Sequence, residues 1–156
     1  MNMSFREKSI WISLFSTLII FGNYFFNIFT LHELPAEAAK LAVLGFSIQA
    51  FVFIIVVEIL LQSALTIYEH KMALLDADER DKLFEYKSNK LGYSVLIIGV
   101  FITLGLIILL EINPQIVNQI EVLKVPLLTM HFLLFSFIFS ELCRFAAQLY
   151  CYRSSE

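Results

Sequence analysis

Residues 91–110 read LGYSVLIIGVFITLGLIILL, twenty positions without a single charge. A helix needs about 20 mostly apolar residues to cross the hydrocarbon core of a bilayer, so this run has spanning length and little else to do. Three companions lie outward from it: Ser9 to Leu31, Leu41 to Leu65 and Val125 to Leu149, each broken only by scattered polar residues. Together they take up most of a 156-residue chain that is 59% hydrophobic and 16% charged, with a mean hydropathy of +0.79. An average soluble domain is about 45–50% apolar and about 25% charged. The expectation is therefore an all-α polytopic membrane protein, one domain of four transmembrane helices in a bundle, with short connections at 32–40 and 111–124 and a charged loop at 66–90. No extramembrane catalytic domain fits beside the spans. The formal net charge of -3 also argues against the broad basic surface that binds nucleic acid.

The first run follows Arg6 and Lys8 and precedes Ala36-Glu37-Ala38, a pattern that mimics a secretory signal and its cleavage site. Signal cores run about 7–15 apolar residues; this run is longer and carries Asn23 and Asn27, which favours an uncleaved helix. Orientation follows from Lys and Arg, which collect on the cytoplasmic side. Arg6, Lys8, Lys71, Arg80, Lys82, Lys87, Lys90, Arg144 and Arg153 lie at one set of span ends, and only Lys40 and Lys124 at the other. Both termini and the 66–90 loop are expected in the cytoplasm. Cys143 and Cys151 then face a reducing compartment, where a bridge is disfavoured, and they lack zinc or redox spacing.

Polar residues at membrane depth are costly and mark interhelical contacts or sites. Ser13, Ser16, Asn23 and Asn27 share a stripe on the first helix; Ser47, Glu58 and Gln62 share one on the second; Thr129, Ser136, Ser140 and Arg144 share one on the fourth, beside Glu141 and Gln148. Gly92, Gly99, Thr103 and Gly105 give the third helix small residues for close packing. Glu58 and Glu141 fall at similar depths in the cytoplasmic third, and Arg144 follows Glu141 at the i, i+3 spacing that brings side chains together. The three are expected to form one charge cluster joining the second and fourth helices. Two accounts of it stay open, a packing ion pair and a proton or ion relay. His32, Glu33, Glu37 and His131 lack helical metal-ligand spacing, and no metal or cofactor is expected.

Between the second and third runs, Asp78-Glu79-Arg80-Asp81 opens a helical pattern, with Asp78 as cap and Asp81 in the first turn, where negative charge suits the dipole. Glu85, Lys87 and Lys90 follow, and the basic end meets the membrane, where Lys suits anionic headgroups. The segment reads either as a solvated helix continuing into the third span or as a docking element, with Asp78, Glu79, Arg80, Asp81, Glu85 and Lys87 as the partner-binding set. The block Asp78 to Asp81, then Leu83, Glu85, Lys87, Lys90, Gly92 and Tyr93, resembles a family of small prokaryotic four-span membrane proteins with a domain of unknown function. Gln148, Tyr152 and Arg153 are similar to the residues that close that family's last helix. Phe84 and Asn89 depart from it, as does a tail without a second basic residue or a Gly after Arg153. The resemblance implies a prokaryotic inner-membrane location and a family with no established activity, some of whose members lie beside small regulators.

Of the functions this leaves, a non-enzymatic regulatory or interaction protein accounts for the charged loop. A small proton-coupled transporter or channel using Glu58 and Glu141 accounts for the buried carboxylates. An intramembrane enzyme has least support, since no His-Glu-x-x-His, Gly-x-Ser-x-Gly or Cys with a nearby His occurs. The partners expected are membrane lipid, a cytoplasmic regulatory protein and further copies of the chain, with no direct contact to nucleic acid.

Overall fold

The computed structural model describes residues 3–31, 35–70, 78–115 and 125–154. It holds four long helices, α1 (Phe5–Phe29), α2 (Ala36–Tyr68), α3 (Glu79–Ile112) and α4 (Leu128–Ser154). All four are long and apolar enough to cross a membrane. Apolarity marks where lipid can be tolerated and not where a helix ends, so the helices overrun the apolar runs. α3 is the clearest case: Asp78 accepts a hydrogen bond from the Glu79 amide at 2.7 Å, and one unbroken helix of 34 residues runs from the charged turns into the apolar ones. Ser4 caps α1 through the Glu7 amide at 3.1 Å.

The helices lie in the order α2, α1, α4, α3: α1 packs on α2 and α4, and α4 on α3, while α2 and α3 share no packed face. The bundle is thus open. Ile20, Phe21, Tyr24 and Ile28 of α1 meet Val43 and Ala50 of α2 and Ile138 of α4 in one core. Toward the opposite end Ile10, Phe84, Phe145, Leu149 and Tyr152 join α1, α3 and α4 in a second. The outer helices keep their apolar flanks uncovered, as at Phe101 (70% exposed) and Ile55 (59%).

α3 and α4 approach closely because small residues face one another. Ser140 Oγ donates to the Gly92 carbonyl at 2.7 Å, and a Cβ on Gly92 would stand 3.1 Å from Arg144 Cβ. At Gly99 the fit is tighter still, since a Cβ there would lie 2.5 Å from Ser136 Cβ, whereas at Gly105 it would meet nothing within 4 Å. Overpacking of this kind costs about 1–3 kcal/mol. Gly99→Leu should lower the thermal midpoint of the detergent-solubilised protein, and Gly105→Leu should not; equal midpoints would contradict the α3–α4 register.

Candidate functional site

Three consecutive residues in the first turn of α1 each hold a different helix. Successive helical positions are rotated by about 100°, so Arg6, Glu7 and Lys8 diverge around the axis. Arg6 Nε lies 3.1 Å from Asp81 Oδ2 at the start of α3. Glu7 Oε1 lies 2.8 Å from Arg153 Nε at the end of α4, off the hydrogen-bond axis, so that attraction is coulombic. Lys8 Nζ pairs with Glu69 at the end of α2. Tyr152 donates to the other Asp81 oxygen at 2.7 Å, and its ring meets Phe84 edge-on at 5.1 Å. The start of α1, the end of α2, the start of α3 and the end of α4 are thereby gathered at one end of the bundle. Just inside lies a cleft of about 220 Å³ reached by Arg6, Asp81, Glu85, Arg144 and Gln148.

Those contacts divide the charged segment of α3 by face. Asp81, Phe84, Ser88 and Gly92 recur at three- and four-residue steps and turn inward, with Phe84 and Ser88 buried. Glu79, Arg80, Glu85 and Lys87 remain exposed, Arg80 with its guanidinium 5.6 Å from the Phe84 ring centre. Asp78 is the helix cap. Of the six residues expected to bind a partner, Asp81 is therefore engaged within the chain.

The expected three-member charge cluster is split. Glu141 and Arg144 do pair, Nε and Nη2 of Arg144 donating to Glu141 Oε2 at 3.0 and 2.6 Å, with the guanidinium 4.3 Å from the Phe145 ring centre. Glu58 turns instead to α1: Ser16 Oγ donates to Oε1 at 2.7 Å and Ser13 Oγ to Oε2 at 3.0 Å. Gln62 joins them, accepting from Ser9 Oγ at 2.9 Å and reaching Ser13 Oγ at 3.2 Å. Equal depth fixed the height of the two carboxylates but not the direction each faces, and α1 stands next to α2 in the row.

Toward the far end a third polar node crosses the core. Tyr24 OH lies 2.9 Å from His131 Nδ1 and 3.1 Å from Ser47 Oγ, while His131 Nε2 lies 3.0 Å from the Pro126 carbonyl. A carbonyl only accepts, so Nε2 carries the proton and Nδ1 of the neutral ring accepts from Tyr24. This braces the turn before α4, where Leu127 holds a left-handed φ of 57°. His131 is thus accounted for, and His32 and Glu33 lie outside the described residues.

Arg6 and Lys8 read in the sequence only as orientation signals, and Glu7 and Glu69 carried no signal at all. Glu7, with its side chain 5% exposed, became visible only with its partner in place. No family model, curated protein or solved structure matches the chain.

Contacting charges couple by about 0.5–3 kcal/mol, whereas separated sites add within about 0.3–0.5 kcal/mol. A double-mutant cycle of Glu141→Gln with Arg144→Leu, read by chemical or thermal unfolding in detergent, should show strong coupling. The cycle of Glu58→Gln with Glu141→Gln should show none. Coupling in the second cycle would restore the single cluster.

Proposed function

We propose that this chain is a non-enzymatic multipass protein of a prokaryotic inner membrane, with both termini and the 66–90 loop in the cytoplasm, that acts by docking a cytoplasmic regulatory partner on the outward face of α3. The observation that carries the reading is the division of that segment. One face is fixed to α1 and α4 through Asp81, Phe84 and Ser88, with Glu85 on the cleft beside Asp81, so the other offers Glu79, Tyr86 and Lys87 on a helix that is already ordered. Preorganisation of this kind lowers the entropy cost of binding. The nine basic residues at that end support the orientation, the uncovered apolar flanks of α2 and α3 support lipid as their surroundings, and the resemblance supports the prokaryotic setting. The exposed charges supply neither a nucleophile nor a metal set.

A second reading, a proton-coupled transporter or channel, is favoured by one observation at Glu58. Among the described residues its carboxylate accepts only from neutral hydroxyl and amide groups, whereas Arg144 neutralises Glu141. That reading therefore rests on Glu58 alone. Glu58→Gln should abolish proton-driven uptake in vesicles under it, and leave every transport assay unchanged under the docking reading.

Reporter fusions after Tyr86 and Glu156 should show cytoplasmic activity and a fusion after Glu37 should not. A photo-crosslinking residue placed at Tyr86 in living cells should give a discrete adduct with a soluble protein. Reversing the charges at Glu79 and Lys87 should remove that adduct without lowering the amount of protein in the membrane. Persistence of the adduct, or loss of the protein itself, would mean that the exposed face serves the fold rather than a partner.

A further inference from the structure

Along the α1–α2 face runs a groove with an apolar inner half and an amide-lined outer half. The inner part, about 350 Å³, lies among Trp11, Phe15 and Leu61. The outer part, about 240 Å³, lies among Asn23, Asn27 and Gln49, and the two parts share Ile19, Ile20 and Phe53. Ile19 (67%), Phe53 (56%) and Phe15 (49%) stand exposed along it. Both Asn23 and Gln49 are exposed. Among the described residues Gln49 has no hydrogen-bond partner; Asn23 Oδ1 accepts from Asn27, and nothing described takes the Asn23 amide hydrogens.

In the membrane reading above, on which this inference rests, these amides are deep. At a rise of 1.5 Å per residue, Asn23 lies about 9 Å inside the end of α1 and Gln49 about 12 Å inside Leu41, in a hydrocarbon core about 30 Å thick. An amide left unpaired there costs several kcal/mol (about 2–7 in transfer data). The Tyr24–Ser47 contact sets the two at one level, since Asn23 precedes Tyr24 and Gln49 follows Ser47 by two residues. One turn from Gln49 on the same side of α2, a Cβ on Gly45 would meet nothing within 4 Å, which leaves room for another helix to come close.

We propose that this groove receives a second copy of the chain, the two copies related by a two-fold axis along the membrane normal, with Asn23 of each facing Gln49 of the other. Such an axis preserves depth, so residues at one level in a copy meet their counterparts at that level. A carboxamide both donates and accepts, so Asn23 and Gln49 are complementary across the axis, and the interface is isologous. The apolar half then closes on itself through Ile19 and Phe53.

The test uses the full chain in native membranes with Cys143→Ser and Cys151→Ser as background. Single cysteines are placed by Ile19→Cys or Phe53→Cys in the groove, which leaves both amides intact, or by Phe101→Cys on the far flank of α3. Oxidation should crosslink the groove variants to dimers and leave the α3 variant monomeric. Adding Asn23→Leu and Gln49→Leu should weaken association about tenfold, as read by donor–acceptor energy transfer over a dilution series in lipid. Monomeric groove variants, crosslinking only through Phe101→Cys, or association unchanged by the two leucines would each overturn the proposal. Carbonate washing separates its failure from that of the membrane reading: a chain that stays in the pellet as a monomer refutes the dimer alone, and a chain washed out of the membrane refutes both.

Discussion

The first turn of α1 is the constraint on which the rest of the arrangement depends. Three adjacent charges, about 100° apart around one helix, can reach three neighbours only if those neighbours stand in a fixed order. Arg6 takes α3, Glu7 takes α4 and Lys8 takes α2, which places α4 between α3 and α2 around α1. That order is the one found in the packed cores. Surface ion pairs are each worth only about 0–1 kcal/mol, and the exposures at Arg6 and Lys8, 39% and 37%, put those two in that class. Glu7 is different: a carboxylate 5% exposed that lost Arg153 would be a buried charge without compensation, a situation that costs about 3–5 kcal/mol in fully buried pairs. The clasp therefore bears chiefly on which helices are neighbours.

Given that order, the polar groups inside the row fall into three separate nodes, two at similar depth and one toward the other end. Glu58 and Gln62 are met by Ser9, Ser13 and Ser16 across the α1–α2 contact. Glu141 and Arg144 neutralise each other along α4, beneath the Gly92 approach of α3. Tyr24, Ser47 and His131 tie α1, α2 and α4 near the other end. Among the described residues no hydrogen bond or ion pair joins one node to the next, although Ser9 and Arg144 border the same cleft.

Composition and periodicity made much of this legible. The four apolar runs locate the four helices, to within about five residues for α1, α2 and α4, while α3 begins twelve residues ahead of its run at the charged turns. Asp78 reads as a cap from its type and place, and the Glu141–Arg144 pair follows from i, i+3 spacing on one helix. The Ser13–Ser16 and Glu58–Gln62 stripes do meet, as interhelical hydrogen-bonding positions should. What sequence could not supply is azimuth between helices. Counting residues gives each carboxylate a depth, but whether Glu58 faces α1 or α4 depends on which helix stands beside α2, and that depends on contacts far away along the chain. Glu7 illustrates the same limit, since an acid beside two bases in a terminal turn is a solvated side chain until a partner buries it.

The charged start of α3 gathers two kinds of constraint in one motif. Asp81, Phe84, Ser88 and Gly92 are at the positions where α3 touches α1 and α4, and their chemistry suits those contacts: a carboxylate for Arg6 and Tyr152, a ring for Tyr152, and small residues beneath α4. Glu79 and Lys87 occupy the remaining arc, where packing imposes no requirement, while Glu85 stays on the cleft beside Asp81. A motif read as one unit in sequence is therefore two interleaved sets, separated only by the 3.6-residue period of the helix. Substitutions that ignore that period act on both sets at once. Respecting it assigns the inward set to the clasp and leaves the outward set as the part of α3 on which recognition can act without disturbing the fold.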